Sequence, residues 1–87
     1  MENWKKLIEK YSLSDLGRVR NDRTGQILKP FQKERKVMVT LNLMDKKVKQ
    51  ITIAKHVAKL FINENVKKVV RINKDPFDNR KENLIVY

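Results

Sequence analysis

The hydrophobic period of this chain changes once, abruptly, and that change limits what it can fold into. Val37, Val39, Leu41 and Leu43 form a strict period-two row, the pattern of a half-buried strand. Val48 to Ile53 reads as a second strand with Ile51 and Ile53 on one face, and Asp45-Lys46-Lys47 between the two runs reads as a loop. From Ala54 the spacing shifts. Ala54, Val57, Ala58, Phe61 and Ile62 fall at i, i+3, i+4, i+7 and i+8, one face of a helix, with Lys55, His56 and Lys59 off it. A hairpin followed at once by a helix hides both apolar faces by packing one on the other. The expected fold class is therefore α+β: small antiparallel β-hairpins packed against one main helix at residues 54–62.

The flanks are less regular. Trp4, Leu7, Ile8 and Tyr11 recur at spacings of three, one and three, which predicts a short amphipathic helix or a packed N-terminal arm. Ser12 to Asp15 offers cap and turn chemistry, and Gly17 breaks the pattern. Gly17 to Asn21 alternates around Val19, with Arg18 and Arg20 on the opposite face. Asp22-Arg23-Thr24-Gly25 is a turn signal, and Gln26 to Lys29 returns as a second short strand ended by Pro30. Phe31 to Lys36 reads as a polar, basic connection. Val69 to Ile72 is a short strand, Asn73 to Glu82 is turn-rich, and Leu84 to Tyr87 is a final apolar strand. A length of 87 residues suits one small domain. Its expected parts are an N-terminal module (1–36), a hairpin plus helix (37–62) and a C-terminal hairpin (63–87).

Charge decides the class of partner. The chain carries 21 Lys and Arg against 10 Asp and Glu, a net charge of +11. An imbalance this large on so small a body points to a polyanion: nucleic acid first, then an anionic membrane or an acidic protein. Residues 18–49 hold ten cations against three acids, a net +7. The candidate nucleic-acid-binding residues are Arg18, Arg20, Arg23, Lys29, Arg35, Lys36, Lys46, Lys47 and Lys49. Arginines on a hairpin can reach guanine edges, and lysines on loops grip phosphates. The plainer alternative is that water-facing strand positions are Lys or Arg by default.

Other chemistries find little support. There is no Cys, which excludes disulfides and Cys-ligated zinc and makes a reducing cytoplasm the simplest home. No apolar run approaches the roughly 18 residues of a membrane span, and Met1 to Lys10 is charged throughout, unlike a secretion signal. His56 is the single histidine and has no evident partner for metal binding or general-base work. Ser12 and Ser14 lack a nucleophile setting.

Three blocks carry a family resemblance. YSLSDLGRVRN (Tyr11 to Asn21) followed by TGQILKP (Thr24 to Pro30) resembles the "Y-x-x-S-x-x-G-R-V … G-x-I-L-K-P" opening module of phage and intron-associated HNH homing endonucleases. AKHVAKLFI (Ala54 to Ile62) is similar to that family's "H-R-L-V-A-x-x-F-I" helix. VVRINKDPFDNRKENL (Val69 to Leu84) is similar to its "V-N-H-I-D-G-N-x-x-N-N-R-x-E-N-L" hairpin. The resemblance implies a DNA-binding N-terminal module and an HNH-like C-terminal hairpin.

The departures fall on the chemistry. In the family the His of "N-H-I-D-G" is the general base beside a metal ligand; here that position is Arg71, preceded by Val70 and followed two and three residues on by Asn73 and Lys74. Arginine cannot accept a proton at neutral pH, and its charge repels Mg²⁺. The family's helical His is Ala54, and His56 stands at an apolar family position. The resemblance also implies a last helix carrying a metal ligand, which is expected to be missing because the sequence stops at Tyr87. Asn79 and Asn83 are expected to support the loop. Loss of the base alone forfeits about 10²-fold to 10⁴-fold in rate. The expectation is a degenerate, truncated HNH-like protein that is not an enzyme and takes no metal or cofactor.

Three functions follow as expectations. The first is a non-catalytic DNA-binding protein of phage or mobile-element origin, working in the cytoplasm of a bacterial host. The alternative is a phage-encoded inhibitor that binds an acidic or nucleic-acid-processing host or defence protein. The third is a residual metal-dependent nuclease relying on His56 or Asn83. No membrane partner is expected, and oligomeric state stays open.

Overall fold

The computed structural model describes all of residues 1–87 and contains eight strands, one α-helix and two short 3-10 turns. Three small antiparallel sheets surround the helix. The first takes β1 (Trp4–Ile8), β2 (Tyr11–Ser14) and β3 (Val19–Asn21) in that order; the second takes β4 (Phe31–Lys33), β5 (Lys36–Asn42) and β6 (Val48–Thr52); the third pairs β7 (Val69–Arg71) with β8 (Leu84–Val86).

The period-two row becomes the central strand of the second sheet. Val37, Val39 and Leu41 of β5 are fully buried, and Val39 stands opposite Ile51 of β6. β6 runs directly into α1 (Ile53–Phe61), which buries Ile53, Ala54, Val57 and Ala58. Eleven side chains form one core cluster: Tyr11, Leu13 and Val19 from the first sheet, Val37, Val39 and Leu41 of β5, Ile51 of β6, Ile53, Ala54 and Val57 of α1, and Leu84 from β8. Packing of all three sheets on one helix is what fixes the relative places of the basic side chains.

Two sequence expectations are corrected here. Trp4 to Tyr11, expected as a short helix or a packed N-terminal arm, is instead strand β1 turning into β2, a hairpin closed by Glu9 at a φ of 49°. The register shifts between Lys6 and Ile8, so Leu7 and Ile8 fall side by side and imitate helical spacing. Phe31 to Lys36 is not a mere connection: β4 pairs with β5 as an edge strand, Phe31 opposite Met38. Gln26 to Lys29 returns beside β3 as expected, though only as a single bridge between Ile27 and Arg20.

The three sheets are also tied by polar contacts. The Tyr11 hydroxyl on β2 accepts the Asn42 N–H at 3.0 Å and donates to its carbonyl at 3.4 Å, and the Lys10 ammonium reaches the same carbonyl at 2.6 Å. At the other end, Lys81 N–H donates to the Asp15 carbonyl at 2.7 Å, which docks the C-terminal loop on the turn after β2.

Candidate nucleic-acid interface

The most motif-like residues turn out to hold the framework. Ser14 is fully buried, and its Oγ accepts the N–H groups of Leu16 and Arg18, each at 3.2 Å. That closes the turn in which Gly17 sits at a φ of +80°. A Cβ on Gly17 would lie 2.9 Å from the Cβ and carbonyl oxygen of Asn79, so the glycine allows the C-terminal loop to seat here. Ser12 Oγ donates to Asp22 at 2.6 Å.

The nine candidate cations divide into two groups. Arg18 and Arg20 are committed inside the protein. Arg18 makes a two-pronged ion pair with Glu2, and Arg20 Nε meets Asp22 at 3.0 Å while its guanidinium stacks 4.1 Å from the Trp4 ring. Arg23, Lys29, Arg35, Lys36, Lys46, Lys47 and Lys49 enter none of the molecule's four ion pairs. Arg35 and Lys36 lie at one end of β5 and Lys46 and Lys47 beyond the other, so the seven-residue strand sets them roughly 20 Å apart. The structure therefore does not gather the nine at one point; it spreads Arg35, Lys36, Lys46, Lys47 and Lys49 along the second sheet and leaves Arg23 and Lys29 on the loops that follow β3.

It also adds residues that a charge count ending at Lys49 misses. Lys55 at the start of α1, and Lys67 and Arg71 from the β7 segment, line a concavity together with Arg35 and Lys36. Nothing in the linear sequence joins these five; packing of α1 between the second and third sheets does.

Arg71 occupies the place of the base in the resembling motif. It stands on the face of β7 that turns toward α1, opposite Leu84, and its Nε donates to Asn79 Oδ1 at 2.9 Å. Burial pushes its pKa below the usual guanidinium range, partly offset by the charge of Asp75, yet a guanidinium remains protonated at neutral pH. Asn79 and Asn83 are 3% and 5% exposed. Asn79 Nδ2 donates to the Pro76 carbonyl, and Asn83 holds both the N–H and the side-chain oxygen of Asn73. Both asparagines shape the loop.

A divalent metal is implied by the family resemblance, and the residues present do not fit one. No three His, Cys, Asp or Glu side chains come together in residues 1–87, and the concavity around Arg71 is lined by cations that repel one. His56 stands apart, its Nδ1 2.8 Å from the Thr52 carbonyl.

These environments set an acid response. Desolvation, aided by Lys59, Lys49 and Lys55, lowers the His56 pKa below 6.5, so its stabilising effect is complete above pH 6.5 and fades as pH falls through the folded value. Asp78, held by Arg80 and then Asn73, is depressed from 3.8 to about 2. Glu2 (by Arg18) and Asp22 (by Ser12, then Arg20) are also lowered. Their contribution is present above about pH 4.5 and lost toward pH 2. Melting temperature is thus expected to fall in two stages on acidification, and His56→Gln to remove the upper stage only. Thermal denaturation from pH 8 to pH 2 checks this, and salt should flatten the lower stage.

Comparison with known proteins agrees with this geometry. Residues 2–43 match the NUMOD4 motif. Over 91 residues the chain is 37% identical to an uncharacterized HNH endonuclease of Acanthamoeba polyphaga mimivirus, an alignment that covers 95% of this chain and 23% of that protein. The fold superimposes on the HNH homing endonuclease I-HmuI, from a structure of its DNA binding and cleavage, with a TM-score of 0.80 over 98% of this chain at 22% identity. The chain is similar to HNH endonucleases in sequence and in fold. This HNH-like chain spans less than a quarter of the mimivirus relative and about half of I-HmuI, with 23% and 52% of each covered. The NUMOD4 match covers the first sheet and the first two strands of the second. The segment whose sequence resembles the HNH hairpin is β7 and β8 with the asparagine-rich loop between them.

Proposed function

We propose that this HNH-like chain is a non-catalytic DNA-binding protein of phage or mobile-element origin, acting in the cytoplasm of a bacterial host. The observation that carries the reading is Arg71: the position of the family's general base holds a guanidinium, and that guanidinium is tied to a buried asparagine of the same loop. A side chain that neither accepts a proton nor ligates a cation leaves binding as the use of the scaffold. Binding is supported by the net charge of +11, by the seven cations outside the ion pairs, five of them along the second sheet, and by the likeness to a homing endonuclease known with DNA. Arg18 and Arg20 contribute by shaping the first sheet, while Arg23, Lys29, Arg35, Lys36, Lys46, Lys47 and Lys49 supply phosphate contacts.

Two measurements test this. Plasmid incubated with the pure chain and Mg²⁺ or Mn²⁺ should stay supercoiled; nicking that vanishes in His56→Ala or Asn83→Ala would restore the nuclease reading. Duplex DNA should bind with a slope of about −5 in log K against log salt, as six phosphate contacts require. Absence of binding at low salt removes the proposal.

A second reading, an inhibitor of a nucleic-acid-processing or acidic protein, is favoured by one surface. Val70 and Ile85 pair across the outer face of the β7–β8 hairpin, and Ile72 and Tyr87 extend that face; all four are exposed, Tyr87 at 67%. Recovery of one stoichiometric protein from nuclease-treated host lysate, dependent on Ile85 and Tyr87, would select this reading.

A further inference from the structure

The concavity between the start of α1, the β4–β5 turn and β7 has a composition that the rest of the surface lacks. Its volume is about 350 Å³, and its charged lining is wholly cationic: Arg35, Lys36, Lys55, Lys67 and Arg71. Five like charges on one hollow repel each other, and none of the four ion pairs in the molecule relieves any of them. Elsewhere the protein does pair its arginines, at Glu2, Asp22 and Asp78, so the absence of acids from this lining is local.

The backbone adds to the field. Thr52 and Ala54 at the N-terminus of α1 form part of the wall. That terminus has no side-chain cap and no acidic residue in its first turn, so its partial positive charge is uncompensated. Arg71 is positioned rather than mobile: Asn79 fixes its Nε, which leaves the terminal nitrogens as donors. The three walls come from three separate parts of the chain, which makes the hollow a product of the fold and not of a charge run.

We infer that this concavity is an anion site that seats a phosphodiester group of a nucleic-acid strand, with Arg71 as the fixed donor and Arg35, Lys36, Lys55 and Lys67 as the surrounding charge. This deepens the DNA-binding reading and rests on it for the source of the phosphate. The site inverts the electrostatics of a metal centre: the phosphate's charge is neutralised by side chains, and no bond is made or broken.

The test uses the full chain and two probes. Inorganic phosphate is titrated into isotope-labelled protein, and backbone and Arg Nε resonances are followed. Saturable shifts are expected at Ala54, Lys55, Lys67 and Arg71 Nε, and they should collapse in the Lys36→Gln/Lys55→Gln variant. Neither of those side chains makes a hydrogen bond within the protein, so the variant keeps its fold, which its own spectrum verifies. Even, non-saturating shifts over all surface lysines, or none in the hollow, would overturn the site. The same variant is then bound to duplex DNA across a salt series, where the slope should become shallower by about 1 for each phosphate that is no longer neutralised. An unchanged slope with a silent phosphate titration removes the pocket and leaves DNA binding standing. Phosphate saturation here without any duplex binding removes the DNA-binding reading and leaves an anion site.

Discussion

Gly17→Ala is expected to lower the melting temperature by roughly 15 °C, a shift that about 3 kcal/mol produces in a domain of this size. Two costs add. At a φ of +80° an alanine occupies the left-handed region, worth about 1–2 kcal/mol. Its Cβ would also stand 2.9 Å from the Asn79 carbonyl oxygen and Cβ, and Asn79 cannot retreat, because it is buried and bonded to both Arg71 and the Pro76 carbonyl. Overpacking of this kind costs about 1–3 kcal/mol. Gly25→Ala separates the terms. Gly25 has a similar φ of +77° with nothing within 4 Å, so it bears the backbone cost alone. Thermal denaturation of the two variants should differ by the close approach; equal losses would mean that the C-terminal loop does not seat against the β2–β3 turn.

The same residues explain which parts of the molecule the sequence discloses. Alternation survives in β5 because one face is buried in the core along the strand, so Val37, Val39 and Leu41 all had to be apolar. The change of period at the β6–α1 junction is legible because no loop intervenes: Thr52 ends the strand and Ile53 begins the helix. β1 is illegible because a register shift places two apolar residues in succession, and β4 because a three-residue edge strand needs only one apolar contact, made by Phe31. The site divides in the same way. Arg71 is visible as an anomaly against a motif, and Asn79 and Asn83 as loop supports, because each is bound within its own segment. The pairing of Arg18 with Glu2 spans 16 residues, and the meeting of Lys36, Lys55 and Lys67 needs the tertiary packing of three elements. No local spacing encodes either.

Asn83→Ala carries the second large effect and connects stability to the anion site. Asn83 sits in the 3-10 turn Lys81–Asn83 just before β8, and its side chain makes three bonds inside the loop. Oδ1 accepts the Asn73 N–H at 3.1 Å, and Nδ2 donates to Asn73 Oδ1 and to the Asp78 carbonyl, both at 2.9 Å. Truncation strands these groups where access to water is poor, at about 1–3 kcal/mol for each that stays buried. A total near 3 kcal/mol, again roughly 15 °C, is expected. Asn83→Asp should not rescue it at neutral pH: one oxygen can still accept from Asn73, but the other then faces two acceptors. Below the aspartate's raised pKa the added proton restores a donor, so this variant should recover stability relative to Asn83→Ala on mild acidification. The loop that loosens is the one carrying Asn79, the partner of Arg71. Amide exchange in Asn83→Ala should therefore speed up across residues 73–80 while β5 keeps its protection, and phosphate should no longer shift Arg71 Nε. Retained phosphate shifts in a loosened loop would show that Arg71 needs no positioning from Asn79.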